Sequence, residues 1–344
     1  MDARNTALSH RRDAAALPLI ATLALLVVAL AFTAATIGAY PIAYGELFAQ
    51  LTGAREAGDP AAATVLFQVR LPRIAAALLV GAALAGAGAV YQGLFRNPLV
   101  SPDILGVSTG AGLGAVLGIF LSLPLAFIQI FAFAGGIATV ALVYAIAAGV
   151  RGREPVLVLV LAGVVVGSLA GAAISLLKVL ADPYDQLPAI TFWLLGSLAS
   201  TRVEDVLGVL PAVAIGLVPL VLLRWRINVL SLGDEEARSL GVEAGRVRLV
   251  VIGAATLMTA SVVAISGVIG WVGLVMPHIA RMLVGPNFDR LLPTAMLLGA
   301  GYLLLVDTLA RTMAQVETPL GILTAIIGAP FFLWLLARGR DGWT

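Results

Sequence analysis

Residues 104–150 read ILGVSTGAGLGAVLGIFLSLPLAFIQIFAFAGGIATVALVYAIAAGV, a run of 47 residues without one charge. A bilayer crossing takes about 20 apolar helical residues, so this run holds enough chain for two, and a soluble core has no use for an uncharged segment of that length. Pro124 is the only proline within it, and a proline lacks the N–H that a continuing helix needs. The run therefore divides into spans at 104–123 and 124–150.

Working outward, uncharged stretches bounded by arginines, prolines and loop residues recur at 17–38, 74–95, 155–177, 206–223, 249–265, 268–284, 293–310 and 319–337. That makes ten spans, with Ser266-Gly267 dividing the apolar run from Leu249 to Ala280. Leu187 to Ser200 is apolar but short, as a re-entrant or interfacial helix would be. Composition agrees: 60% of the 344 residues are hydrophobic, only 12% are charged, and the mean hydropathy is +1.04. That is about half the usual charged share, too little to clothe a soluble exterior. The expectation is an all-α polytopic membrane protein, one domain over 1–344, with residues 1–16 as a cytoplasmic tail and 224–248 as a cytoplasmic loop. The first span is too long for a signal core and has no small-residue cleavage site before Tyr40-Pro41, so it reads as permanent.

An even span count puts both termini on one side. With the N-terminus inside, 15 cations are cytoplasmic and six (Arg55, Arg70, Arg73, Lys178, Arg202 and Arg311) are outside, which fits the positive-inside rule. The net charge of +2 comes from 21 basic and 19 acidic residues, a near balance that gives no reason to expect nucleic acid as a partner.

The residue inventory excludes several classes of function. There is no cysteine and there are two histidines, His10 and His278, so disulfide scaffolds, iron–sulfur clusters and cysteine/histidine metal sites are excluded. The spans hold almost no acids, bases or nucleophiles apart from Asp307, which leaves no catalytic residue to name and no mid-membrane carboxylate for ion coupling. The only lysine, Lys178, lies between Leu177 and Val179, so no P-loop is present and any ATP-driven step needs a separate subunit.

Gly106, Gly110, Gly114 and Gly118 recur every fourth residue, as do Gly163, Gly167 and Gly171. Each set makes a smooth helical stripe for close packing; sliding of the same helices during transport is the functional alternative. In the longest cytoplasmic connection, Asp234 reads as an N-cap, Glu235 and Glu236 suit the first turn, and Gly241 suits C′. Ala237, Leu240 and Val242 would give this short helix a small apolar face for a partner, against the plainer reading of a solvated loop helix. Ser101, Pro102 and Asp103 form a helix start, with Ser101 as cap and Pro102 at N1.

Several segments resemble the permeases of type II ATP-binding cassette importers for ferric siderophores, haem and cobalamin. They are RLPR (Arg70 to Arg73), GAALAGAGAVYQGLFRNPLVSPDILGVSTGAGLGA (Gly81 to Ala115), LGDEEARSLGV (Leu232 to Val242), GVIGWVGLVMPHIAR (Gly267 to Arg281), and DTLAR with TPLGILTAIIGAPFFLWLL (Asp307 to Leu336). The resemblance implies ten helices per subunit, a homodimer in the inner membrane, two ATPase subunits beneath it and a periplasmic binding protein above. ATP and magnesium would sit on the partner, and this chain would bind no cofactor. ATPase coupling would fall on Gly233, Asp234, Glu235, Glu236, Ala237, Arg238, Leu240 and Gly241. Docking of the binding protein would fall on Arg70, Arg73 and Arg311, although Arg311 can also pair with Asp307 one turn earlier. Asn97 and Leu99 resemble the inner gate. His278, within MPHIAR, reads as packing or capping rather than a haem ligand. An iron complex leads as cargo, with cobalamin as the alternative and an ion-coupled carrier as the less favoured mechanism.

Overall fold

A computed structural model describes residues 3–52, 60–150, 154–314 and 316–338, and among these the regular structure is helical with no strand. Arg55, Arg151, Arg153 and Arg340, counted above, lie outside the described residues. The elements are α1 (Ala3–Thr36), α2 (Tyr44–Thr52), α3 (Pro60–Thr64), α4 (Leu71–Leu94), α5 (Val107–Phe120), α6 (Leu125–Gly149), α7 (Pro155–Leu180) and α8 (Gln186–Leu195). They continue with α9 (Val203–Leu222), α10 (Arg224–Leu230), α11 (Asp234–Ser239), α12 (Ala244–Ser266), α13 (Val272–Val284), α14 (Phe288–Ala310) and α15 (Leu320–Arg338). A π-helical turn, Val65–Arg70, joins α3 to α4.

Each of the ten expected spans holds one of these helices, and the short apolar segment is α8. Among the described residues, seven helical segments are long and apolar enough to cross a bilayer: those of α1, α3 to α4, α6, α7, α9, α12 and α14. The other three, α5, α13 and α15, are shorter. The physical reason is that α5 and α13 start late. A 3₁₀ turn, Pro102–Leu105, and left-handed Gly106 (φ 77°) precede α5, and an extended segment from Gly267 (φ 68°) precedes α13. Irregular backbone is tolerated at membrane depth only where protein satisfies it. Here Ser197 N donates to Ser266 O at 2.8 Å and Leu320 N to Gly196 O at 2.9 Å, which ties the ends of α8 and α12 to the start of α15. Both expected joins hold, with Pro124 as the N-cap of α6 and Gly267 as the C-cap of α12. The segment read as a tail is helical from Ala3 and continues into the first span.

The hub is α4. A Cβ on Gly81 would overlap the Gly299 carbonyl of α14, and one on Gly88 would overlap the Gly273 carbonyl of α13, so bare backbone is what permits both crossings. Tyr91 adds a buried hydroxyl contact to Thr256 of α12 at 3.3 Å.

Candidate functional site

Helix α1 ends with four carbonyls that no helical N–H reaches. Thr36 Oγ1 and Ile37 N donate to Thr33 O, and Ile42 N donates to Thr36 O. The other two take arginines: Arg311 donates to Ala34 O at 2.6 Å and Arg70 to Ala35 O at 2.7 Å. Arg70 also donates to the Tyr40 carbonyl. Both cations thus sit at the negative end of the helix dipole.

Arg73, one turn into α4, donates from Nε to both oxygens of Asp307, at 2.9 and 3.1 Å, and from Nη1 to Glu317 at 2.8 Å. The Asp307 side chain is 1% exposed and Arg311 lies 4.0 Å from its second oxygen. Two guanidinium groups therefore face two carboxylates in a buried cluster joining α1, α4, α14 and the loop before α15. A buried ion pair is tolerable when its charges are matched and hydrogen-bonded; Arg73 meets both conditions, whereas Arg311 Nε stays 4.0 Å from Asp307 without a hydrogen bond of its own among the described residues. Burial pulls the Arg311 pKa below its ordinary value, and the neighbouring Asp307 opposes that pull.

This placement corrects one expectation. Arg70, Arg73 and Arg311, expected as docking residues, lie together with their side chains buried and bound within the chain. Arg311 does take the internal pair with Asp307. The group that reaches solvent from this cluster is Glu317, 42% exposed.

At the opposite end of α4 the chain turns through Arg96 (φ 49°) into the loop holding Asn97 and Leu99. Asn97 Oδ1 accepts from Leu99 N at 2.9 Å, which holds the loop in a tight turn and leaves Leu99 44% exposed. Ser101 occupies the cap position before Pro102 but makes no side-chain capping bond. Asp103 performs that role instead, accepting from the hydroxyl and backbone of Ser108 in the first turn of α5. Arg96 lies close to Gly233, so the gate-like loop and the cytoplasmic connection are neighbours.

Within that connection the cap moves by one residue. Gly233 is the N-cap of α11, at φ 137°, ψ 162°, a conformation side chains rarely adopt. Asp234 becomes the first helical residue, and its carboxylate accepts from Arg248 of α12 at 2.8 Å. Leu240 is the C-cap, Val242 N donates to Ala237 O at 2.8 Å, and Gly241 N to Arg238 O at 3.0 Å. This is the two-bond termination that left-handed Gly241 (φ 75°) allows. The expected apolar partner face is corrected as well: Ala237 and Val242 are buried against the protein, and only Leu240, 53% exposed, points out. Glu235, Glu236 and Arg238 complete the segment. On its other side, Asn228 of α10 donates to Asn287 at 3.0 Å and accepts from Phe288 N at 2.7 Å, fixing the connection to the start of α14.

The glycine stripe of α5 packs against α6. A Cβ on Gly110 or Gly114 would collide with the α6 backbone at Gly135 or Phe131, and one on Gly118 would lie 3.2 Å from Ile128 Cα. Gly106 precedes the helix instead of extending the stripe. In α7 only Gly163 is used, against Ile104; Gly167 and Gly171 face open space. Sequence reasoning passed over Gly81, Gly88, Gly273 and Gly299. The i, i+7 spacing of the first two was the available signal. His278 lies partly buried in α13, one turn before Arg281.

Residues 25–338 match the FecCD transport family. The chain belongs to that family. The molybdate import system permease of Haemophilus influenzae is 43% identical over 323 residues, covering 93% of this chain and 95% of that one. The hemin transport system permease of Yersinia pestis is 38% identical over 330 residues, with the same coverage of both chains. Among solved structures, an inward-facing conformation of a metal-chelate type ABC transporter superimposes with a TM-score of 0.85 at 42% identity, covering 93% of this chain and 99% of that chain. This FecCD-family chain is a polytopic membrane transport permease.

Proposed function

We propose that this permease serves an ATP-binding cassette importer that passes an iron complex, haem or a ferric siderophore, across the inner membrane. The observation that carries this reading is family membership over almost the whole chain, joined to a connection that is rigidly built rather than loose. Gly233 to Gly241 is tied to α12 through Asp234–Arg248, and the adjoining α10 is tied to α14 through Asn228–Asn287. A push on α11 from a docked ATPase would therefore reach both helices, and through the neighbouring Arg96 the loop of Asn97 and Leu99.

In this reading two copies of the chain pair, with two ATPase subunits on the α11 side holding ATP and magnesium, and a substrate-binding protein on the opposite rim. The open glycine stripe of α7, with Leu161, Val164 and Val165 more than half exposed beside it, supports pairing on that face. The 15 cations on the α11 side, against six on the other, support its cytoplasmic placement, and that of both termini. Arg70, Arg73 and Arg311 then shape the rim on which the binding protein rests, by fixing the ends of α1, α4 and α14.

A second cargo, molybdate, is favoured by the Haemophilus relative at 43% identity. Cobalamin is the third. ATP hydrolysis by the permease with its ATPase, stimulated in turn by haem-, siderophore-, molybdate- and cobalamin-loaded binding proteins, separates them. Stimulation by an iron-loaded protein is expected. Stimulation only by a molybdate- or cobalamin-loaded protein would replace the cargo, and stimulation by none would remove the importer reading.

A further inference from the structure

At the same end of the bundle as the arginine cluster, but across it, α5, α6, α8, α9 and α12 surround a cavity of about 380 Å³. Its walls are the last turns of α5, α8 and α12 and the first turns of α6 and α9, which is where a bilayer-spanning bundle meets the headgroup layer. Neither the coupling segment nor the arginine cluster contributes a residue to it.

The polar side of the cavity is rich in acceptors. Asp205 is the one ionisable group among the lining residues. Its Oδ1 takes Gln129 Nε2 at 2.8 Å and its Oδ2 takes Arg202 N at 2.9 Å, which leaves a lone pair on each oxygen. Because Gln129 spends its NH₂ on Asp205, its carbonyl oxygen remains as an acceptor. The hydroxyl of Ser266 donates to Val262 O, so its lone pairs also remain. Thr201 lines the same space, is 8% exposed, and its Oγ1 has no hydrogen-bond partner among the described residues. A buried hydroxyl left unpaired is costly, and a ligand with N–H groups would offset that cost.

The rest of the lining is largely aromatic and aliphatic, including Phe192, Trp193, Leu125 and Ile128. A net charge of −1, surplus acceptors and aromatic faces select a cation that donates hydrogen bonds. The size argues against a bare metal ion, since a water molecule's share of liquid volume is only about 30 Å³ and an ion would leave most of the space to water.

We propose that this cavity binds a primary ammonium group, placed to be the ethanolamine headgroup of a membrane lipid, with Asp205 as its counter-ion and Thr201 as a hydrogen-bond acceptor. The aliphatic side would receive the glycerol end of the lipid.

Trp193 provides the readout. Full-length permease in detergent is titrated with ethanolamine hydrochloride, with sodium chloride at equal ionic strength as the comparison, and tryptophan emission is followed. The expected result is a saturable change with ethanolamine alone, lost in Trp193→Phe. Its midpoint should shift at least tenfold in Asp205→Asn and severalfold in Thr201→Val. The asparagine can still accept from Arg202 N, and the valine keeps the threonine shape, so either variant suffices if the other fails to fold. Phosphatidylethanolamine nanodiscs should abolish the response to free ethanolamine, while phosphatidylglycerol nanodiscs should preserve it, which makes the lipid the source; a response preserved in both makes the free amine the ligand. An equal response to sodium chloride, no response in the parent protein, or identical titrations for the parent and both variants would overturn the proposal.

Discussion

The chain is apolar throughout, yet its two halves are packed differently. In the span ending with α4, 78% of the most apolar window is buried within the chain, with 72% in α12 and 61% in α14. In α7 the share is 28%, in α6 22%, in α9 17% and in α1 only 6%. Mean hydropathy is 1.5 to 2.2 in the three buried spans and 2.2 to 2.5 in the exposed ones, and α12 and α6 share the value 2.2, so hydropathy alone does not decide which is central. Close glycine crossings occur in both groups, between α4, α13 and α14 and also between α5 and α6, but α4 makes them on two neighbours at once, whereas Gly167 and Gly171 of α7 face open space. Lipid is as apolar as leucine, so close packing and polar pairing, not exclusion of water, must hold the inner half together.

Substitutions can break that contrast. The largest effect is expected for Gly81→Leu, because the new side chain has nowhere to go except through the Gly299 backbone; α4 and α14 must separate, and folded protein should be lost from detergent extracts. Gly171→Leu is the matched control and should leave the monomer's thermal stability within about 0.5 kcal/mol, a change seen at most in pairing of two copies. If both variants are recovered equally, the distinction between the halves fails.

Next is Asp307→Ala. It leaves Arg73 and Arg311 buried beside each other without their shared carboxylate, and breaking a buried pair costs about 3–5 kcal/mol. A marked fall in melting temperature is expected, measured by thermal unfolding in detergent. Arg73→Glu should destabilise for the same reason, so weaker binding-protein docking in that variant counts as a docking effect only after its stability is matched.

A smaller effect is expected for Glu317→Gln. Glu317 is 42% exposed, so screening limits its pair with Arg73 to about 1 kcal/mol, and the fold should persist. More informative in function is Asp234→Asn: it removes the charge from the tie between α11 and Arg248 while the short helix keeps Gly233 as its N-cap and the turn at Gly241. The amide can still accept from Arg248, so the melting temperature should fall modestly and the fold persist, while the ATPase stimulation that a loaded binding protein produces should fall severalfold.

The contrast also marks what the sequence could disclose. Span positions were legible because a bilayer demands a length of uncharged chain, and Pro124 and Ser266-Gly267 punctuate it. Helix burial was not, since lipid and protein interior ask for the same residues. The stripe of Gly110, Gly114 and Gly118 was visible by period alone; Gly81 and Gly88 were hidden in an alanine-rich run where small residues are common. Asp234 failed as a cap because a glycine beside it could adopt a conformation closed to other residues. Ala237 and Val242 turned inward because a six-residue helix lying on the bundle has only one face to spare. For the arginines, the Asp307–Arg311 pair was legible from its i, i+4 spacing, whereas the carbonyls of Ala34 and Ala35 that Arg311 and Arg70 also bind carry no sequence signature.

The most direct test of the importer reading is uptake into proteoliposomes holding the permease and its ATPase, with ATP enclosed on the α11 side and loaded binding protein supplied on the other. The account predicts accumulation that requires ATP and survives a protonophore. Uptake that proceeds without ATP and collapses with the ion gradient would contradict it.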